Sequence, residues 1–303
     1  MIQAPILLFV YNRPIHTQQA VISLLKNELA AESPLYIYSD AAKTDADQNA
    51  VEETRNFIRQ ITGFASVTVI ERSENWGLAH NIIDGVTTQV SRFGRVIVLE
   101  DDLIVAPYFL QFMNDALETY KDEPRVGHIQ ACDFTNDSSL PDTFLIKFTG
   151  SWGWATWDRA WKYFNPDGEV LLKEMKERKL THKFDFNGNY PFTRMLCRQI
   201  EGKNNSWAIR WNASLFLNDI LSVNVGRSLV QNSGFDGSGT NCGGGNLYQS
   251  SLWLQPLPVE HLHPIEENQQ ARDVFARYYH RTNCFMAKAI RRLKRTLKGD
   301  FSA

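Results

Sequence analysis

The sequence predicts an α/β fold with a mostly parallel central sheet and helices on both faces. Two observations predict it. Short apolar runs with the length of buried strands alternate with amphipathic helical segments through the first hundred residues. The fourth apolar run, residues 96–99, is followed at once by Glu100, Asp101 and Asp102. Ligands of such sheets bind at the carboxyl ends of the strands, so these acids mark a candidate site.

Each element follows from its apolar pattern. Strands are predicted at residues 6–11, 35–40, 66–71 and 96–99, and helices at about 17–27, 51–62 and 78–89. The first strand is apolar throughout, which is typical of a strand covered on both faces. The second half is richer in Trp, Gly and Asn, and its periodicity is weaker. Its predicted strands are 144–148 and 222–225, and its predicted helices are 157–164, 206–218 and about 272–298.

Composition excludes several classes of function. The 303 residues carry a formal net charge of −2, which argues against a nucleic-acid partner. The four cysteines have no CxxC spacing, so zinc ribbons and redox motifs are not indicated. We find no signal-peptide pattern and no apolar run of the ~20 residues that span a bilayer. The expected location is therefore cytoplasmic.

The acidic triplet predicts a metal site. Three adjacent carboxylates at the mouth of a buried strand repel one another and are costly to desolvate. A divalent cation removes that cost, and carboxylate oxygens suit Mn²⁺ or Mg²⁺, which keep open positions for phosphates. The alternative is a solvated acidic turn after a strand.

The residues after the triplet extend the pattern to Val-Leu-Glu-Asp-Asp-Leu-Ile-Val-Ala-Pro-Tyr-Phe-Leu, residues 98–110. This segment resembles the metal-site segment of nucleotide-sugar glycosyltransferases of the GT-A fold, which is Rossmann-like. It is similar to family-2-like enzymes and above all to the N-acetylglucosaminyltransferase I type. The resemblance implies that Asp102 binds the metal, and that Glu100 and Asp101 contact ribose, sugar or metal-bound water.

Further donor-binding residues are predicted at the ends of the first three strands. The turn after the first strand contains Tyr11, Asn12 and Arg13, and its arginine can meet a phosphate. By resemblance, Asp40 after the second strand accepts a hydrogen bond from the uracil N3–H. The segment after the third strand supplies four more candidates: Arg72, Asn75, Gly77 and His80. The alternatives are a surface arginine, a loop aspartate and a helix cap at Asn75.

Residues 150–157 hold three tryptophans among glycines. Aromatic rings stack on sugar faces and small residues allow close approach. We therefore predict that Trp152, Gly153 and Trp154 lie beside the donor sugar, with core packing as the alternative. The polar, glycine-rich residues 226–245 resemble the flexible segment that orders over a bound nucleotide sugar.

The catalytic base is less defined. An inverting enzyme needs a carboxylate that takes the proton of the acceptor hydroxyl. In the resembling enzymes an Asp stands just before a Trp, but Asn205 and Ser206 precede Trp207 here. The candidates elsewhere are Asp236, Glu201 and Asp158, and also Asp133. His263, late in the chain, is a second candidate metal ligand.

These patterns predict one glycosyltransferase domain over residues 1–270, with a nucleotide-binding half (1–115) and an acceptor-side half (116–270). The expected partners are a UDP-linked donor and a glycan or lipid-linked glycan acceptor of a bacterial surface polysaccharide or lipopolysaccharide. Residues 271–303 predict a basic amphipathic helix that contacts the inner face of the cytoplasmic membrane. Two alternatives are a sugar-nucleotide nucleotidyltransferase and a non-catalytic glycan-binding homologue.

Overall fold

The computed structural model describes residues 3–236 and 250–283. In these residues the strands are β1 (Ile6–Val10), β2 (Pro34–Ser39), β3 (Ser66–Glu71), β4 (Arg95–Glu100), β5 (Leu103–Val105), β6 (Val126–Gln130), β7 (Thr143–Ile146), β8 (Trp154–Trp157), β9 (Leu221–Val225) and β10 (Val230–Asn232). The helices are α1 (Pro14–Leu25), α2 (Gln48–Ile58), α3 (Gly77–Phe93), α4 (Phe109–Thr119), α5 (Asp158–Trp161), α6 (Gly168–Glu177), α7 (Thr181–Phe184), α8 (Phe192–Ile200), α9 (Trp207–Leu217) and α10 (Gln269–Asn283).

Eight of these strands form one sheet in the order β3-β2-β1-β4-β8-β6-β9-β7, and β5 pairs with β10 in a second, small sheet. Strands β1 to β4 are parallel, and so are β6 and β9. Strand β8 is antiparallel to both β4 and β6, so β4 and β6 run in the same direction. The predicted α/β fold with a mostly parallel sheet is confirmed.

This topology brings the ends of distant strands together. Strands β1, β2, β3, β4, β6 and β9 all end at one side of the sheet, which we call the carboxyl edge. The other side, where β4 begins at Arg95 and β8 ends at Trp157, we call the opposite edge; these two residues are direct partners. Because a strand rises about 3.3 Å per residue, the two ends of β4 lie roughly 16 Å apart.

Helices cover both faces of the sheet. On one face, Leu8 packs in a core with Val21 of α1 and Phe112 of α4. On the other face, Leu7 packs with Val86 of α3 and belongs to the same core as Trp211. Alternate residues of a strand point to opposite faces, so the uniformly apolar β1 supplies both cores. Burial of each such side chain contributes about 1.5–3 kcal/mol, which favours β1 at the centre of the sheet.

The second half departs from the prediction at several elements, since strands β6, β8 and β10 and helices α6, α7 and α8 are additional to those predicted. A helix was expected over residues 157–164, but residues 154–157 form β8 and only Asp158–Trp161 is helical. The predicted helix is thus confirmed only over Asp158–Trp161, and the strand before it is missed: β8 lies between β4 and β6 and is buried on both faces. A strand covered on both faces has no alternation of polar residues to reveal it.

Helix α10 closes a third core in the second half, where Phe275 and Tyr279 pack with Phe144 and Phe186. The predicted basic tail is outside the described residues, including Lys288, Arg291, Arg292, Lys294, Arg295 and Lys298. No helix within the described ranges has the length and apolar character needed to cross a membrane.

Candidate active site

The acidic triplet lies at the carboxyl edge, where β4 ends. Glu100 is the last residue of the strand, and Asp101 and Asp102 form the turn into β5. Both aspartates are buried, with exposed fractions of 3% and 6%. The four apolar residues before them are fully covered, so the strand carries these carboxylates into the protein.

Arg13 reaches the same place from the neighbouring strand. Strand β1 pairs with β4, and Phe9 is the partner of Glu100, so the turn after β1 lies beside the triplet. The Arg13 guanidinium pairs with Asp101 and, at 3.1 Å, with Asp102. The amide of Tyr11 also donates to Asp101, at 3.3 Å. One guanidinium thus serves two buried carboxylates.

Burial dominates the protonation of these acids. It raises the pKa of Asp101 to about 6, although Arg13 acts in the other direction. The pKa of Glu100 lies well above its ordinary value because of burial and the nearby Asp102 and Asp101. Ionising all three carboxylates therefore costs free energy that one arginine does not offset.

The chain after β10 covers Asp102. The amide and hydroxyl of Ser233 donate to the Asp102 carbonyl oxygen at 2.8 and 3.0 Å. A Cβ atom on Gly234 would lie 2.4 Å from Asp102 Oδ2, so only glycine fits there. These residues begin the final part of the predicted glycine-rich segment, of which residues 237–245 lie outside the described part of the chain.

Asp40, at the end of β2, has a structural role. Its carboxylate accepts hydrogen bonds from the amides of Trp76 and Gly77, both at 2.8 Å, and so caps α3. The Asn75 side chain donates to the Ala41 carbonyl at 2.7 Å, which fixes the same junction. Gly77 has a φ of +72°, a conformation that favours glycine. Contact of these residues with a nucleotide remains a prediction.

The prediction that Arg72 contacts the diphosphate is not supported. Its guanidinium pairs with Asp84, donates to Asn81 at 2.9 Å and lies 3.7 Å from the centre of the Trp76 ring. The side chain is therefore committed to α3. His80 lies on the outer face of α3 and lines a cleft of about 820 Å³ together with Asn75, Trp76 and Asp84.

The other two predicted residues of the first turn make their own contacts. Asn12 donates to Asp47 at 2.8 Å, and the Tyr11 hydroxyl accepts from the Lys43 amide at 2.9 Å. These contacts tie the loop after β2 to the turn after β1, so the turn is held in place beside Asp101.

The tryptophan motif divides between site and core. Trp152 is partly buried, and its ring centre lies 5.6 Å from that of Phe235, which follows Gly234. Trp152 therefore lies at the carboxyl edge. Gly153 has a φ of +65°, and its Cβ position would be 2.6 Å from Val230, so a side chain is excluded.

The prediction that Trp154 contacts a sugar is wrong. Its side chain is 0% exposed, and its ring centre lies 5.0 Å from Trp207 and 5.4 Å from His128. The physical reason is again β8, which places Trp154 inside the sheet. Trp207 is itself buried, and Ser206 before it caps α9 by accepting from the Ile209 amide at 3.2 Å.

The structure separates the four acids predicted as candidates for the base. Asp158 follows β8 at the opposite edge and pairs with Lys162 at 2.6 Å, so the fold does not bring it to the acidic triplet. Glu201 is exposed and pairs with Lys203 at 2.7 Å, which lowers its pKa and weakens it as a base. The backbone of Asp236 lies two residues after Gly234, near Asp102; its side chain is outside the described part. Asp133 is buried, and its carboxylate accepts hydrogen bonds from the Thr135 hydroxyl and the Asn136 amide.

The structure does not bring His263 to Asp102. The chain before it is anchored to Tyr120, whose hydroxyl accepts from the Leu262 amide at 3.0 Å. Tyr120 follows α4, and Glu118 of α4 pairs with Arg95 at the opposite edge. The exposed imidazole of His263 therefore belongs to the other side of the sheet.

The carboxyl edge has the right chemistry for a divalent cation. Asp101 and Asp102 offer the oxygen ligands that Mn²⁺ and Mg²⁺ prefer. Within residues 3–236 and 250–283 no three His, Cys, Asp or Glu side chains are grouped as a complete ligand set. Substrate oxygens and water complete such sites, so these carboxylates fit a cation that is shared with a bound diphosphate.

Sequence reasoning missed two features of this site. It assigned Arg13 to a phosphate and did not predict its pairing with the acids; the signal was that both follow apolar strands that parallel pairing places side by side. It also did not predict that Ser233 and Gly234 contact Asp102, because nothing in a loop sequence shows that the loop returns to a distant strand end.

No family model matches the sequence, and no curated protein matches it. Among solved structures, mannosyltransferase PcManGT from Pyrobaculum calidifontis, in complex with GDP-Man and Mn²⁺, is 11% identical with a TM-score of 0.39, over 72% of this chain and 69% of that chain. Residues 1–349 of S. aureus TarS are 13% identical with a TM-score of 0.41, over 76% and 60%.

A UDP-glucose pyrophosphorylase complexed with UDP-glucose is also similar, with 12% identity and a TM-score of 0.35, over 74% of this chain and 90% of that chain. These neighbours are distant, and they include both a glycosyltransferase and a pyrophosphorylase.

Proposed function

We propose that this protein is a glycosyltransferase that uses a nucleotide-sugar donor, UDP-linked, together with Mn²⁺ or Mg²⁺. The observation that carries the proposal is the group of Arg13, Asp101 and Asp102 at the carboxyl edge. It combines a guanidinium, which suits phosphate oxygens, with buried carboxylates that suit a divalent cation. A nucleoside diphosphate needs both kinds of partner.

Arg13 is the proposed diphosphate ligand. Its Nη1 atom is buried and has no hydrogen-bond partner among the described residues, which leaves a donor for a phosphate oxygen. Asp102 and Asp101 are the proposed cation ligands. When bound, the cation would offset the negative charge that develops on the departing diphosphate.

The proposed transfer needs one proton acceptor. The base takes the proton of the acceptor hydroxyl, whose oxygen attacks the anomeric carbon while the bond from that carbon to the diphosphate breaks. Attack from the face opposite the diphosphate inverts the anomeric configuration. We assign the base to Asp236, because its backbone follows Gly234 beside Asp102.

The acceptor is proposed to be a glycan or lipid-linked glycan in bacterial surface polysaccharide or lipopolysaccharide synthesis. Trp152 supports a sugar at the carboxyl edge, since its ring is partly buried beside Phe235 and aromatic rings pack on sugars. A lipid-linked acceptor would bring the protein to the cytoplasmic face of the membrane, where the basic residues beyond position 283 would contact anionic lipid.

The nucleotidyltransferase alternative is less well supported. Such enzymes carry a glycine-rich loop after the first strand, whereas Tyr11, Asn12, Arg13 and Pro14 stand here. The non-catalytic alternative draws on one observation: Asn205 and Ser206 stand where the resembling enzymes have a carboxylate, and Ser206 serves as a helix cap.

Calorimetric titration of UDP, GDP, ADP and CDP, with and without Mn²⁺, tests the donor proposal. We expect UDP to bind with Mn²⁺ and to lose at least tenfold in affinity without Mn²⁺ or in Asp102→Ala. Asp158→Ala, which removes a partly exposed carboxylate at the opposite edge, is the matched control and should bind as wild type. Binding that ignores both Mn²⁺ and Asp102 would refute the proposal.

Release of UDP from a UDP-sugar panel separates the enzyme from a glycan-binding homologue. Wild type should hydrolyse a UDP-sugar slowly, with water in place of the acceptor hydroxyl, and so release UDP. The rate of hydrolysis should be at least a hundredfold lower in Asp236→Asn, while UDP binding is unchanged. Binding without turnover of any donor would favour the non-catalytic alternative, and equal rates for both proteins would remove Asp236 as the base.

A further inference from the structure

Arg13, Asp101 and Asp102 form a closed group of charged side chains at the carboxyl edge. The exposed fractions are 18% for the Arg13 side chain, 5% for Asp101 and 9% for Asp102. The guanidinium lies between the two carboxylates and bonds to both. This position, bridged by oxygens from two adjacent aspartates, is the one that a cation at the triplet would take.

The surroundings of Asp102 leave little room for a second cation. Its Oδ2 atom accepts from Arg13 at 3.1 Å and lies against Gly234, whose Cβ position would be 2.4 Å away. The Asp102 carbonyl is held by Ser233. A divalent cation at this oxygen must therefore replace the guanidinium, and two cations in contact would also repel each other.

The backbone of Arg13 is held at the start of α1 independently of its side chain. Its carbonyl accepts from the amide and the hydroxyl of Thr17, at 3.0 and 2.9 Å, at the start of α1. Thr17 is completely buried, which anchors the residue. The unpartnered Nη1 atom shows that the present position does not satisfy the guanidinium fully.

From these contacts we propose that Arg13 is an exchangeable counter-ion. In the free protein it occupies the cation position between Asp101 and Asp102. A divalent cation takes that position only as Arg13 turns away, and the released guanidinium then binds the diphosphate of the donor. This inference rests on the proposed function, and it makes cation binding and donor binding depend on one side chain in opposite ways.

Binding of Mn²⁺ alone gives the first test. The free Mn²⁺ signal in electron paramagnetic resonance measures its affinity for wild type, Arg13→Gln and Arg95→Gln without nucleotide. Arg95 is the matched control, because it has the same exposed fraction of 18% and pairs with Glu118 at the opposite edge. We expect at least tenfold tighter Mn²⁺ binding in Arg13→Gln and no change in Arg95→Gln.

Binding of UDP at saturating Mn²⁺ gives the second test. Arg13→Gln should bind UDP at least tenfold more weakly than wild type, so that its two affinities move in opposite directions. If Arg13 were purely structural, its substitution would weaken the binding of both Mn²⁺ and UDP. If Arg13 contacted only phosphate, its substitution would leave Mn²⁺ binding unchanged. Either result would overturn the proposed exchange.

A third variant covers the case in which Arg13→Gln does not fold. Arg13→Lys keeps the charge but replaces the planar guanidinium, whose Nη2 atom contacts both carboxylates, with a differently shaped ammonium, and should bind Mn²⁺ more tightly than wild type by a smaller factor. The same affinity as wild type would refute the exchange. Failure of wild type to bind UDP would refute the donor proposal alone, since the Mn²⁺ comparison needs no nucleotide.

Discussion

The carboxyl groups near the two ends of β4 have pKa values shifted in opposite directions. At the opposite edge, Glu118 is one-third exposed and pairs with Lys121 and Arg95, which lower its pKa. At the carboxyl edge, burial raises the pKa values of Glu100 and Asp101, and Arg13 is the cation that bonds to the aspartates. Glu118 thus has two cationic partners, whereas Asp101 and Asp102 share one.

This difference indicates which end of β4 is suited to bind a ligand. Ion pairs in contact with water contribute little and can be built anywhere on a surface. Buried acids with incomplete compensation cost stability, and such groups concentrate at functional sites because a ligand can supply the missing charge. The carboxyl edge is therefore the side of the sheet that a ligand should stabilise.

The largest expected effect contrasts a tryptophan at each edge. Trp157 is 4% exposed, its Nε1 donates to the Leu117 carbonyl at 3.1 Å, and its ring lies under Arg159. Trp157→Ala should lower the free energy of unfolding by about 3–5 kcal/mol. Trp152→Ala should lower the free energy of unfolding by clearly less, but it should weaken the binding of a UDP-sugar more than the binding of UDP.

Urea unfolding and calorimetry of both variants check that contrast. Two matching losses of stability, with UDP-sugar affinity intact in Trp152→Ala, would place Trp152 in the core and remove it from the site.

The second prediction concerns pH. The folded-state pKa of Asp101 is raised to about 6, so its contribution to stability is present at low pH and is lost as the pH rises through about 6. Without divalent cations, the stability of wild type relative to Asp101→Asn should therefore fall as the pH rises from the ordinary aspartate pKa of 3.8 to about 6, and then level off. A shift of about two pKa units corresponds to the order of 3 kcal/mol.

Glu118→Gln is the control at the opposite edge. Its pKa is lowered, so its contribution is present at neutral pH and is lost as the pH falls through that lowered value, and exposure keeps it below about 1 kcal/mol. Denaturant titrations at constant ionic strength measure both; a pH-independent difference for Asp101 would contradict its burial as the cause.

The smallest expected effect contrasts a glycine at each edge. In Gly234→Ala the new Cβ would lie 2.4 Å from Asp102 Oδ2, which should cost about 1–3 kcal/mol and weaken Mn²⁺ binding. Gly94 ends α3 at the opposite edge with a φ of +75° and open space around it. Gly94→Ala should cost about 1–2 kcal/mol from backbone strain alone.

Thermal unfolding and Mn²⁺ titration distinguish the two glycine variants. If Gly234→Ala bound Mn²⁺ as wild type does, the segment after β10 could not be in contact with the cation position.

The first half of the fold could be predicted from sequence because its signals are local. Each strand is one apolar run and each helix one amphipathic period, so β1 to β4 and α1 to α3 are confirmed with shifts of a few residues at their ends. Their parallel order then places the turn after β1 and the triplet after β4 at one edge.

The second half could not be predicted as well, because its site depends on contacts between distant segments. Trp152 and Trp154 are two residues apart and equally aromatic, yet one lies beside Phe235 and the other inside β8. The position of Asp158 likewise depends on the direction of β8, and that of His263 depends on the contact between Leu262 and Tyr120 after α4. No local pattern encodes these facts.

Strand β8 also has a consequence for how the chain folds. It covers the side of β4 that β1 leaves open, pairing Val98 with Trp154 and Arg95 with Trp157, and it emerges from the ribosome well after the acidic triplet. Until then β4 has a bare hydrogen-bonding edge next to buried valines, which is a surface that invites pairing with another chain. A fragment that ends after α4 would contain Arg13 and all three acids, but it would be expected to aggregate instead of binding a ligand.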